Sequence, residues 1–534
     1  MTNTKKTKKV IAIHLKENYS FKWYSAKGIN VKGYVYDSKG KCLAGEALLA
    51  YFESIKNSSE LLQLLKTTNG MFTVIILHKG TLMVAVDRLR YFPIFYAVKN
   101  ANICISDTVE SIKKHYDYQD INRLSKQIYL STGFVPEQYT LVDNIFQVQA
   151  GQFVTFSDGK ITTHNYFTYA TSEIYENSYE DSKEKLQSII NNIFVRIKNT
   201  IGHRPIAVPL SSGFDSRLIA VMLKEVGLKE VTCISFETYN ENERNFSEQI
   251  AARLGFKWNF IPLKIPTTKN FLHDKIFNDY VSFSTNYNSS LNPINYFIAK
   301  ELKETLHPNT VIISGHSGDF FAGSHLYEEI STETGTQKLK LAIMKNYFKL
   351  LPPSAEVKKQ FYTNFLNNEN VGKLPYSIFE SWILKESQSK ITTNSIKAYN
   401  FFGFETRIPF WDLMFIDFFK HLPYHFKLYK VLYDDFVTNQ IFAPYDLNFE
   451  FELQSTPEMI RKKHERKQLQ YYLPYIFRNL FQKQKETSFI TYLKKQISKE
   501  ITRKNLYLYF NINNLQELIV QWYISEVIDA KKYS

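Results

Sequence analysis

The central part of the chain alternates short apolar runs with segments of helical periodicity, and this alternation constrains the fold more than any other feature. The apolar runs predict buried strands at Pro205–Leu210, Val231–Phe236 and Trp258–Pro262. Helical spacing of apolar residues predicts helices at Ser182–Lys198, Arg217–Val226 and Glu243–Leu254. Strands that alternate with helices are joined by crossover connections, so the sequence predicts a parallel, doubly wound α/β sheet. Ligands of such sheets bind at the carboxyl ends of the strands.

A turn of small residues, Ser211–Ser216, follows the first of these strands. A turn between a strand and a helix N-terminus presents backbone N–H groups and the positive end of the helix dipole to an anion. Small side chains let the backbone approach a phosphate, and Asp215 is placed to hold a divalent cation against it. The turn lacks the G-x-x-x-x-G-K-[ST] spacing, so it predicts a different kind of phosphate site.

Three segments resemble the asparagine synthetase-like ATP pyrophosphatases, a family related to β-lactam synthetases and lasso-peptide cyclases. Ser211–Ser216 resembles the pyrophosphate loop S-G-G-x-D-S, with Ser212 in place of the first Gly. The segment Val311–Gly323 contains a stretch that resembles G-E-G-x-D-E-x-F-G-G from Gly315 onward, with His316 and Phe320 in place of the two Glu residues. Phe404–Asp412 resembles V-E-x-R-x-P-F-L-D. The resemblance extends over about residues 180–420.

The resemblance implies a site for ATP and Mg²⁺. Asp215 and Asp319 are the two expected metal-binding carboxylates, and oxygen ligands of this kind suit Mg²⁺. The expected ATP and pyrophosphate site consists of Leu210, Ser211, Ser212, Gly213, Asp215, Ser216, Ile234, Ser235, Ser314 and Gly315.

The resemblance also implies three catalytic residues. His316 stands where asparagine synthetases have Glu and β-lactam-forming relatives have Tyr, and an imidazole with a pKa of about 6.5 suits removal of a proton from an attacking amine. Glu405 is expected to orient His316. Lys483 is the expected cation that stabilises the charged intermediates. Lys485 is an equally good candidate, and Lys462 and Lys463 are rivals.

Residues 1–170 follow a different pattern. Short runs predict strands at Val10–Leu15, Met71–Leu77, Thr81–Val86, Ile94–Val98 and Gln152–Phe156, and helical spacing predicts a helical segment over Gly45–Leu65. This is an α+β antiparallel sandwich, and it resembles the N-terminal-nucleophile glutaminase domain of asparagine synthetases. We therefore expect a glutamine amidotransferase-like domain at 1–170 and an ATP pyrophosphatase domain at 171–534, with a mostly helical C-terminal part.

The glutaminase activity requires a cysteine at the mature N-terminus, because its thiolate attacks the glutamine amide. This chain begins Met1-Thr2, and Thr2 precedes a polar, basic stretch that gives a nucleophile no fixed position. The sequence therefore predicts a degenerate domain that does not hydrolyse glutamine.

Composition indicates where the protein is located and which partners suit its charge. Cys42, Cys104 and Cys233 show no metal-ligand spacing and predict buried thiols in a reducing compartment. No apolar run reaches about 18 residues and no signal sequence is evident, so we expect no membrane span and a cytoplasmic location. The net charge of +14 is attributed to a solvated basic surface, although ATP and an anionic acyl donor also suit it.

The function predicted from these residues is an ATP-dependent ligase that forms an acyl-adenylate and then an amide. Its expected partners are a carboxylate and an amine on small molecules, peptides or sugars; the sequence identifies neither, and an oligomer is left open. Two alternatives remain: a nucleic-acid-modifying ATP pyrophosphatase such as a tRNA thiolase, and a non-catalytic ATP-binding homologue. The absence of motif-placed cysteines disfavours the first. The replacement of Glu by Phe320 favours the second.

Overall fold

The structure is a computed structural model that describes residues 10–17, 19–237, 242–265, 270–364, 373–449, 461–462, 486–501 and 514–529. The chain forms two compact units. Unit 1 comprises Met1–Lys126, Val135–Thr168 and Thr285–Ser289. Unit 2 comprises Gln127–Phe134, Tyr169–Ser284 and Ser290–Ser534.

Unit 1 contains the N-terminal strands. They are β1 Ile11–His14, β2 Tyr24–Ala26, β3 Ile29–Tyr36, β4 Cys42–Ala44, β5 Asn69–His78, β6 Thr81–Val86, β7 Phe95–Lys99, β8 Asn102–Ser106, β9 Phe146–Gln147, β10 Gln152–Ser157 and β11 Lys160–Asn165. The helices of this part of the chain are α1 Glu46–Phe52, α2 Ser58–Thr67, α3 Val109–Tyr116 and α4 Arg123–Thr132.

These strands form two packed sheets. One has the order β11-β10-β6-β5-β3-β2, with β4 also paired to β3, and the other has the order β1-β8-β7-β9. Alternation along β5 builds both cores: Ile75 packs between the sheets, whereas Val74 and Ile76 pack under α1 and α2. The predicted sandwich is confirmed, with one difference, since β1 pairs with β8 in parallel.

The helical segment predicted over Gly45–Leu65 is confirmed and forms two helices. Helix α1 ends at Phe52, and Asn57 starts α2 by accepting a hydrogen bond from the backbone N–H of Glu60 at 3.0 Å. The side-chain amide of Asn57 in turn donates to the Glu60 carboxylate at 2.7 Å. An N-cap of this kind restarts a helix, so the break is encoded locally.

Unit 2 contains the parallel strands and most of the helices. The strands are β12 Ile206–Pro209, β13 Val231–Phe236, β14 Lys257–Ile261, β15 Val311–Ile313 and β16 Glu405–Arg407. The helices are α5 Tyr179–Ile201, α6 Phe214–Glu225, α7 Asn242–Leu254, α8 Lys275–Thr285, α9 Pro293–Thr305, α10 Gly318–Ala322, α11 Thr336–Tyr347, α12 Ala355–Asn364, α13 Pro375–Trp382, α14 Thr393–Phe401, α15 Leu413–His421, α16 Tyr424–Lys427, α17 Val431–Phe436, α18 Ser488–Ile501 and α19 Leu515–Trp522. Wider π-helical turns occupy Ile383–Thr392, Val437–Phe442 and Tyr523–Ile528.

The sheet of unit 2 has the order β14-β13-β12-β15-β16, and all its pairs are parallel. The chain winds outward from β12 in one direction and then adds β15 and β16 on the other side. The order therefore reverses between β12 and β15, which makes their carboxyl ends the topological switch point where ligands bind. The predicted doubly wound α/β sheet is confirmed.

The turns at this switch point are the two that the sequence singles out. Ser211–Ser216 follows β12, and Ser314–Asp319 follows β15. Adjacent parallel strands bring both turns to the same edge. Within the described ranges, no helix is both long and apolar enough to cross a bilayer, and the cytoplasmic location stays a prediction.

Candidate active site

Two acidic residues meet at the switch point. The backbone N–H of Asp319, at the start of α10, donates a hydrogen bond to Oδ2 of Asp215 at 2.8 Å. The other carboxylate oxygen of Asp215 accepts the Tyr433 hydroxyl, also at 2.8 Å. The Asp319 carboxylate is exposed, and its Oδ2 accepts the Ser324 hydroxyl at 3.1 Å. The turns after β12 and β15 are therefore joined through the carboxylate of Asp215.

The ionised form of Asp215 is poorly compensated. Burial, reinforced by the negative charge of Asp319, raises the pKa of Asp215 to about 7. The Tyr433 hydroxyl, the Asp319 N–H and the positive charge of Lys430 oppose this shift without reversing it. A divalent cation bound by both carboxylates would offset the repulsion between their negative charges. Oxygen ligands from two strand ends are also the type that Mg²⁺ prefers, so Asp215 and Asp319 fit a Mg²⁺ site.

Glycines make the close approach of the two turns feasible. A Cβ added to Gly318 would lie 2.6 Å from Cγ and Oδ2 of Asp215. A Cβ added to Gly315 would lie 3.1 Å from Cβ of Asp215. The first contact is shorter than real Cβ atoms make, so with any other residue at 318 the Asp215 carboxylate or the turn would have to shift.

The serines of the first turn hold its shape. The Ser216 hydroxyl lies 3.1 Å from the Ser211 backbone N–H and 3.0 Å from the Ser211 hydroxyl. The Ser211 hydroxyl accepts the backbone N–H of Gly213 at 3.1 Å. Gly213 is the N-cap of α6 and provides no side-chain cap for the first N–H groups of the helix. An uncapped helix N-terminus beside a rigid turn is suited to bind an anion.

Ser212 is fixed from both sides. Its backbone N–H donates to Oε1 of Glu243 at 3.2 Å, and its carbonyl accepts a hydrogen bond from the Arg217 guanidinium. Arg217 is fully buried, donates to the Leu447 carbonyl at 2.7 Å and lies 4.7 Å from the ring centroid of Phe442. The turn therefore rests on a buried cation that packs against aromatic rings.

Two serines replace glycines of the family patterns, with different consequences. Ser212 keeps a negative φ, so the first Gly of S-G-G-x-D-S is not needed for backbone conformation. Ser317 stands at the second Gly of G-E-G-x-D-E and has φ 74°, a left-handed conformation that non-glycine residues adopt at a cost. Its hydroxyl donates to Oε1 of Gln388 at 2.8 Å, which helps to hold that conformation.

His316 is held by two serine hydroxyls. Nδ1 pairs with the Ser314 hydroxyl, and Nε2 lies 2.7 Å from Oγ of Ser395. Ser395 has a single hydroxyl proton, which the Thr392 carbonyl accepts at 2.6 Å. Nε2 therefore carries the ring proton, and Nδ1 is the basic nitrogen that faces Ser314. Burial lowers the pKa of His316 to about 4, against a smaller opposing effect of the Asp319 charge, so the imidazole is neutral at pH 7.

The predicted pairing of Glu405 with His316 is wrong. Glu405 begins β16 and lies in register with Val311, at the amino end of β15, whereas His316 follows the carboxyl end of β15. Oε2 of Glu405 instead pairs with Arg204 at 2.9 Å and Arg407 at 3.1 Å. Burial raises the pKa of Glu405, but the two guanidinium groups outweigh it and hold that pKa below its usual range. Glu405 is therefore placed to stabilise the fold, and Ser314 and Ser395 orient His316.

The remaining predicted nucleotide-site residues lie at the strand ends and are buried. Leu210 donates its N–H to the Ile234 carbonyl at 2.8 Å and accepts the Ser235 hydroxyl at 3.0 Å. The Ser314 N–H donates to the Arg407 carbonyl at 3.0 Å. These contacts tie β12 to β13 and β15 to β16, so the four residues form a rigid floor beneath the two turns.

The lysine predicted to stabilise the charged intermediates is not located among the described residues. Lys483 lies outside the described residues, as do the other candidates Lys463 and Lys485, and Lys462 is exposed. A different cation lies near the site: Lys430 pairs with Asp434 at 2.9 Å, lies 5.2 Å from the ring centroid of Phe214 and lowers the pKa of Asp215 through its charge. Sequence reasoning missed Lys430, Tyr433 and Ser395, because they lie in helical segments without a motif of their own.

Phe320 fills the position of the second family Glu with an apolar ring. It is buried and stacks on His325 with ring centroids 4.7 Å apart. His325 in turn lies 3.2 Å from Oε1 of Glu380, a fully buried carboxylate that also binds Lys427 at 2.6 Å. The residue after Asp319 therefore supports packing under α10 and provides no metal ligand.

Comparison with known proteins agrees with this architecture. The asparagine synthase model matches residues 197–433, and the glutamine amidotransferase domain model matches residues 38–167. The chain is 23% identical over 460 residues to asparagine synthetase [glutamine-hydrolyzing] 1 of Bacillus subtilis, covering 75% of this chain and 68% of the relative. It is 26% identical over 295 residues to the microcin J25-processing protein McjC of Escherichia coli, and this match covers 54% of this chain and 53% of McjC. A putative asparagine synthetase of Methanocaldococcus jannaschii is 22% identical over 293 residues, covering 49% and 50%.

Residues 197–433 of this chain are similar to the asparagine synthase family. The two matched domains follow each other in the order that the sequence predicts, and relatives include both asparagine synthetases and McjC. This similarity supports, at the level of the family, an ATP-dependent carbon–nitrogen ligase. The chain spans about half the length of McjC and of the archaeal relative.

Proposed function

We propose that this protein activates a carboxylate as an acyl-adenylate, with release of pyrophosphate, and then joins it to an amine that its own glutamine hydrolysis does not supply. The observation that carries the proposal is the contact of Asp215 and Asp319 beside the uncapped start of α6. Both features lie at the point where the strand order of the sheet reverses.

In the first step a carboxylate oxygen of the substrate attacks the α-phosphorus of ATP, and the bond to pyrophosphate breaks. The N–H groups at the start of α6 and the hydroxyls of Ser211 and Ser212 would bind the departing pyrophosphate, where negative charge develops. Mg²⁺ held by Asp215 and Asp319 would supply Lewis-acid stabilisation of the phosphate oxygens. The Lys430 ammonium group would add a second positive charge on this side of the turn.

In the second step the amine attacks the acyl carbon, and AMP leaves with the bonding electrons of the mixed anhydride. The amine loses one proton in this step. Nδ1 of His316 would receive it through the Ser314 hydroxyl, with which Nδ1 is paired. The nearby charge of Asp319 favours the imidazolium that forms. Ser395 would orient the ring because its hydroxyl oxygen accepts a hydrogen bond from the Nε2–H group of His316.

The positions of the cysteines support an amine that does not come from glutamine hydrolysis by this protein. A glutaminase of the N-terminal type attacks with the side chain of its first residue. Cys42, Cys104 and Cys233 lie inside strands β4, β8 and β13, so none of them can take that position. Similarity to the microcin J25-processing protein favours a peptide substrate, in which a substrate amine attacks a carboxylate of the same chain.

The proposal is tested by the nucleotide products. The protein is incubated with ATP, Mg²⁺ and a peptide pool from its own cells, and AMP, ADP, pyrophosphate and phosphate are quantified together with peptide mass. We expect AMP and pyrophosphate in equal amounts and a peptide product that has lost one water. Formation of ADP and phosphate would contradict the proposal. ATP binding without turnover would identify a non-catalytic homologue and would also overturn it.

A further inference from the structure

Three potential metal ligands converge in unit 1, far from the Asp215 site in the sequence. His14 lies at the end of β1, Cys104 lies within β8, and His115 lies in the last turn of α3. One ligand atom of each residue lies within 4.8 Å of those of the other two. The two histidines are 101 positions apart, so sequence spacing gives no signal of this cluster.

The fold brings these residues together through strand register. Strands β1 and β8 are parallel, with Ala12 opposite Cys104 and His14 opposite Ser106. Side chains two positions apart share a face of a sheet, so His14 and Cys104 point to the same side. Helix α3 covers that side, and its last turn is anchored by the Tyr116 hydroxyl, which donates to the Asn102 carbonyl at 3.1 Å. His115 is thereby held over the same patch.

The spacing of the ligand atoms suits a tetrahedral ion. Nε2 of His14 and Nδ1 of His115 lie 3.3 Å apart. Zinc–nitrogen bonds of about 2.0–2.1 Å at a tetrahedral angle place two ligating nitrogens about 3.4 Å apart. A zinc–sulfur bond of about 2.3 Å places the sulfur about 3.6 Å from each nitrogen, so the Cys104 thiol needs to move by no more than roughly 1 Å. In the metal-free protein one ring donates a hydrogen bond to the other across the same gap.

Burial defines the shape of the site. Cys104 is fully buried, His14 is half-buried, and His115 is exposed. An ion bound by all three would have its sulfur ligand in the core and its histidine ligands toward the surface. The fourth position would then face solvent and hold water, which is the arrangement of zinc sites with three protein ligands.

We propose that His14, Cys104 and His115 form a Zn²⁺ site that ties β1 and α3 to β8. Two imidazoles and one thiolate are ligands that Zn²⁺ prefers over Mg²⁺ or Ca²⁺. This site is separate from the proposed ligase chemistry, because all three ligands belong to unit 1 and the nucleotide-site residues belong to unit 2.

The experiment is titration of the full-length, metal-free protein with Co²⁺, followed by absorption and then displacement with Zn²⁺. We expect one equivalent of Co²⁺ to give the visible bands of a tetrahedral site and a thiolate-to-cobalt charge-transfer band. Cys233→Ala is the matched control, since this buried cysteine lies in β13 of unit 2, and it keeps both bands. Cys104→Ala loses the charge-transfer band.

His115→Ala keeps the proposal testable if the buried Cys104 variant does not fold, because His115 is exposed. We expect at least about a tenfold loss of Zn²⁺ affinity in this variant, and no increase of its melting temperature with Zn²⁺. Co²⁺ spectra without a charge-transfer band in the wild type would overturn the proposal and leave a hydrogen-bonded histidine pair. Equal Zn²⁺ affinity of His115→Ala and wild type would overturn it as well.

Discussion

The backbone N–H of Asp319 lies 2.8 Å from Oδ2 of Asp215, although the two residues are 104 positions apart in the sequence. This hydrogen bond joins the turns that follow two adjacent parallel strands. It fixes one carboxylate while leaving the other, that of Asp319, exposed. The proposed pyrophosphate site depends on this relationship, and most of the following predictions perturb it or its surroundings.

Gly318→Ala is expected to abolish most of the ligase activity. The new Cβ would lie 2.6 Å from Cγ of Asp215, so the carboxylate or the turn has to move. A displacement of about 1 Å at a reacting site costs roughly 100-fold in rate. Gly335→Ala is the control, because it too lacks a left-handed φ and a Cβ there meets no atom within 4 Å. Unchanged AMP formation by Gly318→Ala would show that the Asp215 position is not critical.

Tyr433→Phe is expected to weaken the use of Mg²⁺ and ATP. The Tyr433 hydroxyl donates to Oδ1 of Asp215 and favours its ionised form. A lost hydrogen bond to a charged group corresponds to about a tenfold higher KM for MgATP. The matched control is Tyr424→Phe, which removes a hydroxyl that donates to the Tyr327 carbonyl at 2.9 Å. Equal MgATP dependence in the two variants would argue against the assigned role of Tyr433.

His316 is expected to make the folded protein sensitive to acid. The unfolded imidazole takes up a proton near pH 6.5, whereas burial keeps the folded one neutral down to a pKa of about 4. Between these values the unfolded state binds more protons, so stability falls as pH decreases through this range. Relative to His316→Gln, the wild type should lose up to about 3 kcal/mol of unfolding free energy between pH 7 and pH 4. Denaturant unfolding at several pH values measures this difference, and a difference that does not change with pH would refute it.

Glu405→Gln is expected to lower stability without changing the pH profile of amide formation. The variant loses the charge on Oε2, which pairs with Arg204 and with the buried Arg407. We expect a loss of about 1–2 kcal/mol in unfolding free energy, against a few tenths for Asp279→Asn in the exposed pair with Lys275. A large loss of activity at unchanged melting temperature would restore a catalytic role for Glu405.

Local patterns allowed much of the fold to be predicted. The strands Thr81–Val86 and Val231–Phe236 have the predicted bounds, because buried apolar runs flanked by turn residues determine them locally. The parallel pairing of the sheet in unit 2 follows from the alternation of strands and helices. What the sequence does not mark is that Gln127–Phe134 belongs to unit 2 and Thr285–Ser289 belongs to unit 1. These assignments depend on tertiary packing, for which no composition shift is a signal.

The part of the candidate site formed by the two turns after β12 and β15 could be predicted, because each turn has a recognisable pattern of small and acidic residues. Asp215, Asp319 and the serines of the first turn follow strand ends, so their convergence follows from parallel topology. The predicted pairing of Glu405 fails for a physical reason: Glu405 lies beside the amino end of β15, whereas His316 follows its carboxyl end. Tyr433 and Ser395 reach the site from helices whose packing no local pattern defines.

Mg²⁺-dependent exchange of labelled pyrophosphate into ATP, with the acyl substrate present, tests the central claim most directly. We expect Asp215→Asn and Asp319→Asn each to reduce exchange by at least about 100-fold. The double variant should lose little more, because residues that act as a unit are not additive. Asp279→Asn should exchange like the wild type, as its carboxylate pairs with Lys275 on the surface. Exchange that persists in folded Asp215→Asn or Asp319→Asn would contradict the account.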